Sequence, residues 1–202
     1  RKQLGTGNAV KAALSKLRPN SVAIVLYGDV PLVEVKTMEG LTRIATKDSL
    51  AILTFNKKHP KGYGRIIRGS KNQVEAIIEE KDASREQRKI TEVNSGILAI
   101  KSIHLKKLLP RIKNKNTAKE YYLTDIVEIA KEAGIKIKAV LLDESDEVLG
   151  ANTRQELQRL ERACQRVRAN KLLNSGVNIA DVNRIDSRGD LEVGKGSFID
   201  IN

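Results

Sequence analysis

The residues best placed to do chemistry are a few carboxylates, amides and hydroxyls set at the ends of apolar runs or beside glycines. Val22 to Tyr27 is an unbroken apolar run; Gly28 interrupts it and Asp29 follows, ahead of Val30 and Pro31. Such a run suits a strand covered on both faces of a parallel sheet. In open α/β sheets ligands gather beyond the carboxyl ends of the strands, so a carboxylate at Asp29 could hold Mg²⁺, which takes one or two carboxylates, water and substrate phosphates rather than a full protein cage. The competing reading is that Asp29 only shapes the turn from Gly28 to Pro31.

Three glycine-containing stretches offer further contacts. "QLGTGNAV" places Gly5, Thr6 and Gly7 before a helix, where backbone N–H groups and a hydroxyl can meet a phosphate or a base edge. "KGYGR" (61–65) and "NSG" (94–96) read as turns or as sites. "EYYLTDIVEIA" puts Thr124 and Asp125 before an apolar helical run, with Asp125 and Glu128 at capping-box spacing, and Asn152 stands before a long helix with Gln155 three residues on. His59, next to Lys58, and His104, between Lys101 and Lys106, are each isolated and read as surface residues. No Ser-His-Asp, Cys-His or paired-His pattern is present, which argues against hydrolytic triads and zinc sites.

The elements that must position these groups alternate as in an α/β sheet. Helices are predicted over 7–17, 34–46, 102–112 and 123–133. Strands are predicted over 21–27 and 49–55, in short pieces between His59 and Asp82, in "VNSGILAIK" and in "IKAVLLD". From Thr153 to about Ser175 a single long helix follows, its stripe formed by Leu157, Leu160, Cys164 and Val167 and much of its remaining surface basic, with Gly176 as the stop. Beyond it, apolar residues recur every six positions at Ile179, Ile185 and Leu191, and at Val193 and Ile199. That spacing marks a parallel β-helix.

Bulk properties exclude several classes. The chain has 202 residues and a formal net charge of +12, but Lys and Arg are interleaved with Asp and Glu, and few aromatics are available to stack on bases, which argues against a nucleic-acid partner. Attraction of phosphorylated small molecules fits the charge. No apolar stretch approaches the roughly 20 residues of a membrane span, so no membrane partner is expected, and the lone Cys164 suits a reducing, cytoplasmic setting. The chain opens without Met and stops inside the six-residue pattern, so it reads as an internal fragment.

In combination these signals are specific. "QLGTGNA", "LYGDVPL", "GYGRIIR", "IIEEKDAS", "EVNSGI", "EYYLTDI" and "EVLGANTRQEL" occur in the order and at the spacings of the bifunctional bacterial N-acetylglucosamine-1-phosphate uridyltransferase/glucosamine-1-phosphate acetyltransferase family, and the resemblance continues through "LERACQ" and "RIDSRGDLEVGKGSFIDIN". It implies a Rossmann-like nucleotidyltransferase sheet over 1–152 with its N-terminal part missing, a linker helix over 153–175, and the first coils of a left-handed β-helix over 176–202. It implies transfer of a uridylyl group from UTP to N-acetylglucosamine 1-phosphate with Mg²⁺, held by Asp29 and Asn152. Gly5 and Thr6 would contact the uridine part, Tyr27 and Gly28 would line the same pocket, and Gly64, Glu79, Asn94 and Thr124 would hold the amino sugar. The parent would be a homotrimer that also uses acetyl-CoA, through residues expected beyond Asn202, and the fragment alone would be inactive. A nucleotidyltransferase for another sugar 1-phosphate, or a binding module without turnover, are the alternatives. Where the family reads Asn-Asn-Ala-Gln-Gly before "EYYLTD", this chain has Lys115, Asn116, Thr117, Ala118 and Lys119.

Overall fold

The computed structural model describes residues 3–142 and 146–201, which fall into two compact units, Arg1–Gly28 with Val33–Val148 and Asp29–Leu32 with Leu149–Asn202. In chain order the first unit holds α1 (Thr6–Ala13), β1 (Val22–Val25), α2 (Val35–Ile44), β2 (Ser49–Asn56), β3 (Arg65–Arg68), β4 (Val74–Ile78), β5 (Glu92–Lys101), α3 (Ser102–Leu108), α4 (Ile126–Glu132) and β6 (Lys136–Leu142). The predicted strand "IKAVLLD" runs to Asp143, which lies outside the described residues.

Six strands form one mixed sheet in the order β4-β3-β5-β2-β6, and β1 also pairs with β5. Within this sheet β2 and β6 run parallel, whereas β1, β2 and β3 all meet β5 antiparallel. The core lies against β2 and β5. Leu50 and Ile52 share one face of β2, where α3 contributes Leu105 and Leu108 and α4 contributes Ile126 and Val127. Ala51, Leu53 and Phe55 point to the opposite face and are buried as well. Each fully buried Leu, Ile or Phe is worth about 1.5–3 kcal/mol over its exposed state, which makes this doubly covered strand the centre of the unit. The apolar run 22–27 turns out differently from its expectation. Only Ala23 of β1 is buried, Leu26 is 45% exposed, and the strand pairs antiparallel rather than within a parallel layer. Apolar continuity is a local signal; how deeply the strand is covered and which way its neighbour runs are set by the partner β5.

The second unit contains α5 (Arg154–Asn174), β7 (Asn178–Ile179) and β8 (Phe198–Ile199). The N-cap of α5 is Thr153 rather than Asn152: its hydroxyl accepts from Glu156 N at 3.2 Å, while the Glu156 carboxylate accepts from the backbone of Asn152 and Thr153, each at 2.9 Å. The helix stops as expected at Gly176, whose φ of 89° accompanies bonds from Gly176 N to Leu173 O and from Val177 N to Leu172 O, a Schellman closure. The predicted apolar stripe is only partly buried. Leu160 is covered, but Leu157 and Val167 are more than half exposed, and Gln165 and Ala169 are buried instead. Gln165 is there because it exchanges two bonds with the Ser187 backbone, at 2.8 and 3.1 Å. Strands β7 and β8 pair in parallel, Ile179 opposite Ile199, whereas Leu191 is 48% exposed.

Candidate functional site

The β3–β4 hairpin sets Arg65 opposite Ile78, so the residues just outside that pair, Gly64 and Glu79, face each other. A side chain at Gly64 would come within 3.0 Å of Ile77 and 3.4 Å of the Glu79 carboxylate, so the close approach depends on glycine. The carbonyl of Gly64 accepts from Asn94 N at 2.9 Å, and Glu79 Oε1 accepts from the Thr124 hydroxyl at 2.9 Å. Four residues from four parts of the chain are thereby joined. Beneath them Arg65, only 1% exposed, donates to Glu80 at 2.6 Å and to the carbonyls of Tyr63 and Arg88. Arg68 holds Glu92 with two bonds of 2.7 Å, and Glu92 also accepts from Thr54. These charge-assisted bonds fasten β2, β3 and β5 next to Asn94.

"NSG" is neither an isolated turn nor a plain strand segment. Pairing with β2 passes from Ile52–Leu98 to Thr54–Asn94, and between them Gly96 adopts a φ of 86° while the Ser95 hydroxyl donates to Leu53 O at 2.7 Å. This is a β-bulge, the feature that re-aims side chains beside functional sites. The Tyr27 ring rests on Gly96, where a Cβ would lie 2.6 Å from the ring edge. The end of the "LYG" segment and the amide of Asn94 are thus set by one irregularity.

Gly5 opens α1 with φ 97° and ψ 170°, a backbone region essentially confined to glycine. Thr6 Oγ1 accepts from Leu123 N at 3.0 Å, Gly7 N donates to Tyr121 O at 2.8 Å, and Tyr121 N donates to Leu4 O at 2.8 Å. The Gly7 amide is therefore committed to the fold rather than presented to a phosphate. The same segment carries Thr124, so the turn at Gly5 and Thr6 and the Gly64–Glu79–Asn94–Thr124 set share a support.

Acidic groups accumulate around Thr124. Burial, opposed by the Thr124 hydroxyl and reinforced by Asp82, leaves the Glu79 carboxyl above its usual range. Burial, Asp82, Glu79, Glu120 and Asp125 together push the Tyr122 phenol up to about 12. Asp125 is raised to about 6, by burial first and then by the charges of Glu128, Glu79 and Asp82. The folded state therefore binds more protons than the unfolded one between about pH 4 and about pH 6, so the Asp125 contribution to stability is present below that window and lost as pH rises through it. Asp125→Asn removes this decline. The melting temperature of the variant minus that of the parent is expected to rise from about pH 4 to about pH 6 and then level off, and a difference constant across that range would refute the assignment.

In the second unit, Ala151 N donates to the Asp29 carbonyl at 3.0 Å, and Gly150 lies beside Asp29, its Cβ position 3.7 Å from Asp29 Oδ2. Asp29 and Asn152 are both exposed, and the Asn152 backbone, not its side chain, serves the helix cap. One exposed carboxylate, and one exposed amide on the residue that follows the Asp29-bonded Ala151, suit the sparse protein ligation of Mg²⁺. No group of three or more His, Cys, Asp or Glu that could hold a metal exists among the described residues, and none is needed for that mode. Sequence reasoning missed Arg65 as the buried anchor under Gly64 and missed the Thr153–Glu156 cap. The first has no sequence signal beyond an Arg inside an apolar strand; the second was legible as Thr-x-x-Glu.

No protein-family model matches the chain. Curated proteins do. It is 48% identical over 200 residues to the bifunctional protein GlmU of Paraburkholderia phymatum and 46% identical over 200 residues to that of Nitrosococcus oceani, in each case 99% of this chain and 44% of the relative. The GlmU of Idiomarina loihiensis is 45% identical over 202 residues. The chain thus spans less than half the length of these relatives. Among solved structures, a putative glucose-1-phosphate thymidylyltransferase from Bacillus anthracis, in complex with a sucrose, superposes with a TM-score of 0.55 at 18% identity, over 79% of this chain and 61% of the other. At that identity it shows a shared nucleotidyltransferase-like fold and no more. No helix among the described residues is long and apolar enough to cross a membrane.

Proposed function

Because the chain is a homologue of the bifunctional GlmU proteins along 99% of its length and 44% of theirs, we propose that it supplies the substrate-holding residues of a uridyltransferase acting on UTP and N-acetylglucosamine 1-phosphate. A phosphate oxygen of the sugar phosphate attacks the α-phosphorus of UTP, the bond to the β-phosphate breaks, and pyrophosphate leaves as UDP-N-acetylglucosamine forms. No protein nucleophile is required, so the work of the chain is positioning.

Gly5 and Thr6 contact the uridine part, with Tyr27 and Gly28 lining its place. Gly64, Glu79, Asn94 and Thr124 bind the amino sugar, their carbonyl, carboxylate, amide and hydroxyl suited to sugar hydroxyls and an N-acetyl group; a site built on such bonds discriminates against analogues that leave them unpaired. Asp29 and Asn152 would hold Mg²⁺, which when bound would offset phosphate charge as the oxygens rearrange. The observation that best supports the assignment is the joining of Gly64, Glu79, Asn94 and Thr124 through hydrogen bonds and one close approach, although they lie far apart in sequence. In the same proposal α5 is a linker and the β7–β8 pair begins a left-handed β-helix, which in a cytoplasmic homotrimer uses acetyl-CoA to acetylate glucosamine 1-phosphate.

The test is a chimera in which this chain replaces the matching residues of a GlmU relative. Pyrophosphate release that requires UTP, N-acetylglucosamine 1-phosphate and Mg²⁺ is expected. Preference for glucose 1-phosphate would overturn the substrate assignment. Binding of UDP-N-acetylglucosamine by calorimetry without pyrophosphate release would instead identify a binding module.

A further inference from the structure

Behind the turn at Gly5 and Thr6 the first unit contains a cavity of about 400 Å³, within the range of small-molecule sites. None of the residues assigned to uridine or sugar lines it. Its wall includes Gly7, Leu109 and Ile112, all buried, and its polar groups include Lys11 of α1 and Lys113 and Lys115 of the following loop, all exposed. No Asp or Glu contributes to the lining. The neighbouring Glu120 has its Cβ against Gly5 instead.

We infer that this cavity is a binding site for a small amphipathic anion, a phosphorylated molecule with an apolar or aromatic body. Three lysines beside an apolar wall favour a charged head and an apolar body together. One of these lysines, Lys115, lies in the loop whose sequence departs from the neutral pattern of the family the chain resembles. The cavity also touches the nucleotide turn. Leu4, Gly7 and Tyr121 line it, and those three residues exchange the 2.8 Å backbone bonds that fix the entry to α1. On the far side of the loop Thr117 bonds the Asp82 carboxylate through its backbone N at 2.9 Å and its hydroxyl at 2.6 Å. An occupant therefore biases the segment that supports both Thr6 and Thr124, whether or not the proposed uridyltransferase activity holds.

The experiment is a titration of the ¹⁵N-labelled 202-residue chain, followed by amide chemical shifts, with phenyl phosphate, inorganic phosphate and UTP as separate probes. Phenyl phosphate is expected to perturb Gly7, Asn8 and 112–115 saturably and to bind more tightly than inorganic phosphate. The double variant Lys113→Glu/Lys115→Glu, both residues exposed, should retain its dispersed spectrum and bind phenyl phosphate about tenfold more weakly or worse. Shifts centred on Gly5, Thr6, Tyr27 and Gly28, equal in parent and variant, would place phosphate in the nucleotide site and overturn the inference. So would shifts scattered over lysines without saturation.

Discussion

Asp29→Ala in the chimera is expected to lower pyrophosphate release by about 10²- to 10³-fold, the cost typical of removing a group that stabilises developing charge at a transferring centre. The substitution should leave the fold intact. Asp29 is exposed, and the bond it makes to Ala151 runs through its backbone carbonyl, which Ala retains. The melting temperature should therefore stay close to that of the parent while activity collapses. Asn152→Ala should act in the same direction, since its side chain takes no part in the cap formed by Thr153 and Glu156. Titration with Mg²⁺ separates binding from chemistry: recovery of Asp29→Ala at high Mg²⁺ indicates a ligand role, and unchanged turnover in the variant would remove Asp29 from the mechanism.

Gly5→Ala is expected to cost about 4 kcal/mol of stability, from the combined strain of a backbone region closed to other residues and of a forced contact. The new methyl would lie 2.7 Å from Tyr121 O and 2.9 Å from Tyr121 N, and backbone cannot swing aside as the end of a side chain can. Against a typical total of about 5–15 kcal/mol, such a loss shows directly as a lower urea midpoint at unchanged m. Gly28→Ala is the contrast. Nothing lies within 4 Å of a Cβ at Gly28, so the change in unfolding free energy should stay within about 0.5 kcal/mol, and any loss of nucleotide affinity there reports the site rather than the fold. Equal destabilisation of the two variants would contradict the packing described at Tyr121.

Much of the architecture is legible in residue order because the local signals are strong. Gly176 halts α5 through a geometry that glycine favours, and "SLAILTF" is apolar enough to be a strand buried on both faces. What is not legible depends on partners that local pattern does not encode. The direction of β1 is decided by β5, far along the chain. The buried face of α5 is decided by Ser187, which draws in Gln165 while Leu157 and Val167 remain exposed. The cap at Thr153 could have been read from Glu156, but Asn152 and Gln155 present a competing pattern one residue earlier. For the candidate site, the family resemblance groups Gly64, Glu79, Asn94 and Thr124, but residue type and spacing do not: Glu79 and Thr124 are both ordinary in local pattern until the hydrogen bond between them is seen.

The bulge at Gly96 constrains how the length of this chain can vary. Between Ile52 and Thr54 β2 advances two residues while β5 advances four, from Leu98 to Asn94. The excess is even, so side chains on either side of the bulge keep the same alternation between faces. Loss of a single residue there would reverse that parity for everything N-terminal to it on β5, turning Val93 out and the Glu92 carboxylate away from Arg68. Loss of Ser95 and Gly96 together would keep the alternation and remove the ledge beneath Tyr27 and the Ser95 bond to Leu53 O. Tolerated insertions and deletions at this point should therefore come in pairs.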